Sequence, residues 1–345
     1  MSELFIDENY QSILSLRETE RAIKFIKDYF QDSLAQQLNL QRISSPLYLR
    51  RGSGVNDDLN GVETKVSFEI PDAESVVAEC LFSLAKWKRM VLADYGFESG
   101  EGLYTDMNAL RPEEVLDNLH SVYVDQWDWE RIISKEERNL DFLKEIVRKI
   151  YQAIITTEKT VHQKYPQIEP ILPDKITFVH TEEMLERYPD LPPRERENKI
   201  AREYGAVFII GIGAELANGQ LHDGRAPDYD DWITPTGNGK RGLNGDIFVW
   251  NPVLQRGFEL SSMGIRVDKE SMLEQLRLRN ETERTKQPWH QRLLNDEFPL
   301  TVGGGIGQSR LCMFLLQKLH IGEVHASIWP DETVKRCKEA GVRLL

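Results

Sequence analysis

Cysteine, unbroken apolar runs and positive charge are all scarce in this chain. Its three cysteines, Cys80, Cys312 and Cys337, stand far apart with no Cys-x-x-Cys pair, which excludes a disulfide framework and a paired-cysteine zinc site. An odd, sparse set reads as reduced thiols and predicts a cytoplasmic protein. No stretch approaches the ~18 consecutive apolar residues of a membrane span. The first residues, Met1 to Glu8, lack a basic segment and a long apolar core, so no signal peptide is expected. Asp and Glu number 56 against 43 Lys and Arg, for a formal net charge of −13. That balance argues against a general nucleic-acid binder, which needs a basic surface to neutralise phosphates. It leaves room for a small basic pocket.

Several nucleotide and metal motifs are missing as well. There is no G-x-x-x-x-G-K-[ST]; Gly239-Lys240-Arg241 lacks both the hydroxyl and the preceding glycine. No H-E-x-x-H is present, and the seven histidines are scattered. The glycines at 303–307 lie near the C-terminus, without the first βαβ unit and distal acid of a dinucleotide fold.

What is present is 40% hydrophobic residues over 345 positions, enough for a substantial core without disulfides or metals. Apolar residues at helical spacing (Ile13, Leu16, Ile23, Ile26, Phe30, Leu34) predict a helix from about Tyr10 to Leu38. A second amphipathic helix is predicted over 136–163. A short strand closed by Pro46 follows the first helix, and then a loop over 51–61 with three glycines and the adjacent acids Asp57 and Asp58. Residues 62–70 alternate like a strand, with Val62, Thr64, Val66, Phe68 and Ile70 on one face. Further strands are read at 176–180 and 206–213. Residues 246–252 and 257–267 form two neighbouring strands close enough for a hairpin. An acid, Asp246, opens the first, and Glu259 sits early in the second; a modest register offset brings both to one divalent cation. No repeat or low-complexity tract divides the chain. The reading is a single α+β domain over 1–345, built on a mainly antiparallel sheet flanked by helices.

Four stretches carry chemistry. Within 80–89, Lys86, Lys88 and Arg89 put three cations in four positions beside apolar residues; a solvated basic edge is the plain reading, a functional one the alternative. Along 122–130, strand alternation separates Val122, Val124, Gln126, Asp128 and Glu130 from Tyr123, Asp125, Trp127 and Trp129. A face that passes from aliphatic to Gln, Asp and Glu reads as the floor of a polar pocket whose groups need partners. The run 225–232 places Asp228, Asp230 and Asp231 around Tyr229, by default in a solvated loop. Finally, 301–310 reads as strand, glycine-rich turn and helix start with Arg310 in the first turn, a place for an anion such as a nucleotide.

These runs, together with 100–105 and 260–266, resemble the ammonia-dependent asparagine synthetase (aspartate–ammonia ligase) family over essentially the whole length. That family's fold is similar to the catalytic domain of class II aminoacyl-tRNA synthetases. The first helix with Ile43-x-x-Pro46 resembles motif 1, a dimer interface in that superfamily. Arg111-x-Glu113 with Gln126-x-Asp128-x-Glu130 resembles motif 2, and Gly303-x-Gly305-x-Gly307-x-x-Arg310 resembles motif 3. Ser309 stands where the synthetases usually have glutamate.

The resemblance implies conversion of L-aspartate and ammonia to L-asparagine, with ATP as co-substrate and Mg²⁺ as cofactor, through β-aspartyl-AMP, by a homodimer that binds neither nucleic acid nor membrane. It assigns Arg111 to the α-phosphate, Arg310 and Gly305 to the rest of ATP, and Asp246 and Glu259 to Mg²⁺. Ser83 and Lys88 fall where aspartyl-type enzymes read their substrate, with Lys88 inferred to hold the α-carboxylate; Gln126, Asp128 and Asp230 clamp the α-ammonium. Asp57 is the acid expected near the ammonia site, where it would take a proton from ammonium. Glutamine is not expected as nitrogen source, because position 2 is Ser2 and no cysteine sits in a nucleophile motif. Two alternatives stand beside this reading. One is a tRNA-charging enzyme, for which the acidic chain has no spare module. The other is a non-catalytic aspartate- or asparagine-binding regulator, which loss of Arg111, Lys88 or the Asp246/Glu259 pair would have favoured.

Overall fold

The computed structural model describes residues 4–56 and 64–345. Among these the strands are β1 (Leu40–Arg42), β2 (Tyr48–Arg50), β3 (Ser67–Ile70), β4 (Val76–Cys80), β5 (Gly102–Leu110), β6 (Tyr123–Ile132), β7 (Thr177–His180), β8 (Ala206–Ile210), β9 (Pro235–Gly237), β10 (Lys240–Arg241), β11 (Asn244–Asn251), β12 (Arg256–Ile265) and β13 (Thr301–Gly307). The helices are α1 (Leu16–Leu38), α2 (Ala85–Asp94), α3 (Leu140–Lys164), α4 (Thr181–Arg187), α5 (Pro193–Tyr204), α6 (Lys269–Leu278), α7 (Pro288–Leu294), α8 (Gln308–Leu315) and α9 (Asp331–Glu339).

The central sheet has eight strands in the order β1-β5-β6-β13-β12-β11-β8-β7. Its five inner pairings are antiparallel, and only the outermost pairings, β1 with β5 and β7 with β8, are parallel. Each parallel pair is joined by the long crossover such pairing needs, residues 43–101 between β1 and β5 and helices α4 and α5 between β7 and β8. Strands β2, β4 and β3 form a separate three-stranded sheet.

Helices α1 and α3 cover one face. The α1 helix starts later than the apolar spacing suggests, because Ser15 and Glu18 close a capping box at Leu16. Ile13 and Leu16 consequently stay exposed, while Ala22, Ile26, Phe30, Leu34 and Leu38 are buried. Burying each of the larger side chains contributes roughly 1.5–3 kcal/mol. Phe30 packs on Trp127 with ring centroids 4.7 Å apart. Trp127 and Trp129 point into this core from β6, so the alternation read along that strand is the observed one. The other face of β6 and β13 is left to α2 and the 225–232 loop, and there the polar side chains gather.

Three local expectations need correction. The strand read over 62–70 is observed only as Ser67–Ile70, and Phe68 is exposed there rather than buried; residues 62 and 63 lie outside the described ones. The glycines of 303–307 do not form a turn. Gly303, Gly304, Gly305 and Gly307 are all strand residues without positive φ. Their smallness serves close approach: a Cβ on Gly303 would meet Glu130 Oε2 at 1.9 Å, and one on Gly305 would meet Gln126 Oε1 at 2.4 Å. Third, the cations of α2 and the acids of 225–232 are not solvated, as described next.

Candidate active site

A cavity of about 320 Å³ opens over β6, β12 and β13, within the size range of small-molecule sites. It is lined, among others, by Ser83, Lys88, Arg111, Gln126, Asp128, Asp230, Glu259, Gly305 and Arg310. Nine of the residues singled out from sequence thus meet in one place. Asp246 lies just behind the lining. Asp57 is outside the described residues.

Helix α2 supplies the floor. Its N-terminus has no side-chain cap in the usual position, but Ser83 Oγ accepts from the Ala85 N–H at 3.1 Å. Lys86, Lys88 and Arg89 are each 2% exposed or less. A buried cation must find acceptors or lose its charge, and each of these does find them. Arg89 donates to the Pro299 carbonyl at 2.9 Å and to the Val267 carbonyl at 2.7 Å. Lys86 donates to Asp228 at 3.0 Å, which also accepts from His290 at 2.9 Å and Arg284 at 3.2 Å. Asp228 is thereby held well below the usual carboxylate range despite its burial. This cluster pins the 225–232 loop against α2 and α7.

Lys88 donates to the carbonyls of Trp129 and Gly304, both at 3.0 Å, and faces Asp128 Oδ1 at 3.2 Å. An ammonium has three N–H donors, and all three are engaged. Burial pushes its pKa down, against the pull of Asp128 and Glu130. The role of holding a substrate α-carboxylate therefore does not fit this geometry: the ammonium faces the floor and braces Asp128 from beneath.

Above the floor runs a chain of alternating charges. Arg266 reaches Glu130 through Nε and Nη2 at 3.0 and 2.8 Å, and its Nη1 donates to Asp230 at 2.5 Å. Arg225 faces Asp230 at 3.6 Å and donates to Asp246. Arg310 Nη1 donates to the Glu259 carbonyl at 3.1 Å. Burial raises the Asp230 and Asp246 carboxyls; Asp246 is pushed up to about 7, with Glu259 adding to burial and Arg225 opposing. The register explains the last pair. Asp246 stands opposite Ser262 and Glu259 opposite Phe248, with a shift between Ile247 and Phe248, so the acids are offset yet near enough to repel.

Four side chains that line the cavity carry a buried atom without a partner among the described residues: Arg111, Asp128, Arg225 and His325. Arg111 forms no ion pair among the described residues, and its Nε is buried without a partner. Asp128 Oδ2 is likewise buried without a donor. Arg225 Nε also lacks a hydrogen-bond partner. Native structures rarely leave such groups unpaired, so each points to a ligand: an anion at Arg111 and Arg225, a cation or N–H donor at Asp128.

Among the described residues no three His, Cys, Asp or Glu side chains cluster as a metal site. Asp246 and Glu259 nevertheless fit Mg²⁺, which is commonly held by one or two carboxylates together with substrate phosphates. Burial first and the nearby Glu259 second raise the Asp246 carboxyl, and a bound cation would offset both.

Sequence reasoning assigned no role to Arg225, Arg266 or His325. An arginine directly ahead of three acids was the available signal for Arg225; Arg266 and His325 carried none, since their partners Glu130 and Ser309 are remote in sequence.

A family model described as aspartate-ammonia ligase matches residues 17–341. Aspartate–ammonia ligases of Parabacteroides distasonis and Bacteroides fragilis are each 56% identical over 345 residues, covering all of both chains. That of Clostridium tetani is 54% identical over 342 residues, 99% of this chain and 98% of the relative. Among solved structures, the asparaginyl-tRNA synthetase of Pyrococcus horikoshii complexed with asparaginyl-adenylate aligns with a TM-score of 0.67 at 14% identity, over 91% of this chain and 70% of that one. The Entamoeba histolytica asparaginyl-tRNA synthetase, also with asparaginyl-adenylate, gives 0.66 at 14% identity over 90% and 66%. At such identity the likeness is one of fold, and the fold is that of class II synthetase catalytic domains.

Proposed function

The chain belongs to the aspartate–ammonia ligase family, and from that premise we propose that it makes L-asparagine from L-aspartate and ammonia at the expense of ATP, forming AMP and pyrophosphate through a β-aspartyl-adenylate. The observation that carries this reading is the pair of unsatisfied groups in one cavity, the Arg111 guanidinium and Asp128 Oδ2. A zwitterionic amino acid beside a nucleotide supplies what both lack.

A carboxylate is a poor electrophile because its charge repels nucleophiles and oxide is a poor leaving group. In the first half-reaction a β-carboxylate oxygen bonds to the α-phosphorus of ATP and the bond to pyrophosphate breaks. In the second, ammonia bonds to the activated carbonyl carbon, and the C–O bond breaks to release AMP with that oxygen. The protein contributes position and charge. Arg111 holds the α-phosphate, for which a guanidinium suits. Arg310, tied to Glu259, stacks on the adenine. Asp128, with Gln126 and Asp230, takes the α-ammonium, and Lys88 braces Asp128 from below. Arg225 is the cation left to meet the α-carboxylate, through Nε. Asp246 and Glu259 would hold Mg²⁺, whose charge offsets that of the phosphates. Asp57 remains the proposed acceptor of the ammonium proton.

Free ammonia as nitrogen source is supported by the thiols. Burial pushes Cys312 up to about 12 and Cys337 up to about 11, the reverse of what a glutaminase nucleophile needs. We also read the chain as a single catalytic domain, as a homodimer, and as a protein of the reducing cytoplasm. No helix among the described residues is long and apolar enough to cross a membrane. Light scattering should give twice the 39.9 kDa of one chain.

The test is product analysis with ATP, Mg²⁺ and aspartate, comparing added ammonium with added glutamine. Asparagine and AMP formed with ammonium alone support the proposal. Bound aspartate with no asparagine under either condition contradicts it.

A further inference from the structure

At the start of β6, away from the Asp128 end, a second polar cluster reaches the same cavity. Tyr123, Asp125, Ser309 and His325 all line it. Asp125 Oδ1 accepts from the Ser309 N–H at 3.0 Å, and Oδ2 accepts from Ser309 Oγ at 2.8 Å and from Lys27 at 3.0 Å. Ser309 Oγ also stands 2.8 Å from His325 Nδ1. The imidazole is stacked on the Tyr123 ring, centroids 4.6 Å apart and planes 22° apart. His325 is only 4% exposed, and its Nε2 has no partner among the described residues.

Hydrogen-bond direction fixes what that nitrogen offers. Asp125 is a carboxylate beside Lys27 and accepts only. The single Ser309 hydroxyl proton therefore goes to Asp125. Ser309 Oγ must then be the acceptor toward His325, so Nδ1 carries the imidazole proton. Burial holds the imidazole pKa down, which leaves Nε2 as a buried lone pair without a donor among the described residues, on a side chain that lines the cavity.

Distance along the strand says which part of a ligand meets it. Tyr123 and Asp128 are five residues apart on β6, or ~17 Å at the rise of an extended strand. That is about the length of an aminoacyl-adenylate. This end also carries the apolar Leu119, Val124 and Ile321, the surroundings of a base rather than of phosphates.

We infer that His325 Nε2 accepts a hydrogen bond from the exocyclic amine of adenine, and that the Asp125–Ser309–His325 relay selects a 6-amino purine over a 6-oxo purine. This rests on the adenylate reading above. Inosine nucleotides present a carbonyl there, and two acceptors would face each other. Asp125 and Ser309 are positioning residues: they set the tautomer and touch no ligand.

The experiment compares kcat/KM for ATP, ITP and 2′-deoxy-ATP in the wild-type enzyme and in the Ser309→Ala, Ser309→Thr and His325→Leu variants, with ¹⁵N NMR of the His325 imidazole. Wild type should prefer ATP over ITP by roughly tenfold or more, as expected for a buried acceptor left facing another acceptor. Ser309→Ala frees the tautomer and should narrow that ratio with ATP KM rather than kcat affected; Ser309→Thr should restore it. His325→Leu should weaken ATP and leave ITP little changed. NMR should place the proton on Nδ1. A ratio unchanged in every variant overturns the inference, as does a loss that falls on 2′-deoxy-ATP. So does a proton found on Nε2, directed at the Tyr123 carbonyl that also faces the ring. Wild type inactive with all three nucleotides would instead overturn the adenylate reading itself.

Discussion

Glu130 Oε2 stands 1.9 Å from the point that a Cβ would occupy on Gly303. The two residues face each other across the β6–β13 ladder, and the glycine is what admits a buried carboxylate between strands. Arg266 closes over that carboxylate with hydrogen bonds of 3.0, 3.1 and 2.8 Å, and Thr301 adds another at 2.7 Å. The glycine run is thus a recess in the sheet that stores one end of the cavity's charge chain.

Gly303→Ala should therefore destabilise the protein by about 2 kcal/mol or more, as overpacking a filled space does, and should lower activity through a displaced Glu130. Gly257→Ala, where the nearest atom is 3.3 Å from the added carbon, should have a smaller effect. Urea unfolding of the two variants checks the contrast; equal losses would contradict it.

How much of this was legible beforehand depends on whether a partner lies nearby in sequence. The pocket face of β6 could be read because strand alternation is local, and so could the β11–β12 hairpin that brings Asp246 and Glu259 together. The burial of Lys86 and Lys88 could not. Lys86 is matched by Asp228, 142 positions on, and Lys88 by a carbonyl 216 positions on; without those partners the same residues read as a solvated edge. The acids of 225–232 were misread for the same reason. The glycine run lies beside the cavity but was explained by a turn, because the side chains that fill the space above it belong to β6.

Asp128→Asn should remove the acceptor for the substrate ammonium. Aspartate kcat/KM should fall by about a hundredfold, on the order of a lost charge-assisted hydrogen bond, with ATP KM near its wild-type value. Steady-state kinetics with each substrate varied decides this; a loss confined to ATP KM would contradict the assignment.

Protonation of buried histidines should cost stability in mild acid. His320 is fully buried, and burial pushes its pKa down from 6.5 to about 4; His180 and His325 shift the same way. The unfolded chain binds a proton near pH 6.5 that the folded one refuses until about pH 4. The His320 contribution is accordingly full above pH 6.5 and falls as pH drops through that window, by about 3 kcal/mol. The raised Asp246 carboxyl shifts stability the other way, so the His320 part is read from the difference between wild type and variant. Unfolding of wild type and His320→Asn across pH 4–7 checks it: the variant should show a shallower slope.

Replacing Cys80, Cys312 and Cys337 together by alanine or serine should leave ammonium-dependent synthesis within a few-fold of wild type after correction for folded fraction, because no thiol takes part in the proposed chemistry. Retention of the substrate ratio with loss of stability is the expected pattern. Activity abolished in a folded variant would assign chemistry to a cysteine.

The central claim is that the β-carboxylate is activated as an acyl-adenylate. Aspartate labelled with ¹⁸O in its β-carboxylate, turned over with ATP and ammonium, should place one ¹⁸O atom in the phosphate of AMP and none in pyrophosphate, as mass spectrometry of the two products would read. Label recovered in inorganic phosphate, with ADP as the nucleotide product, would contradict the account.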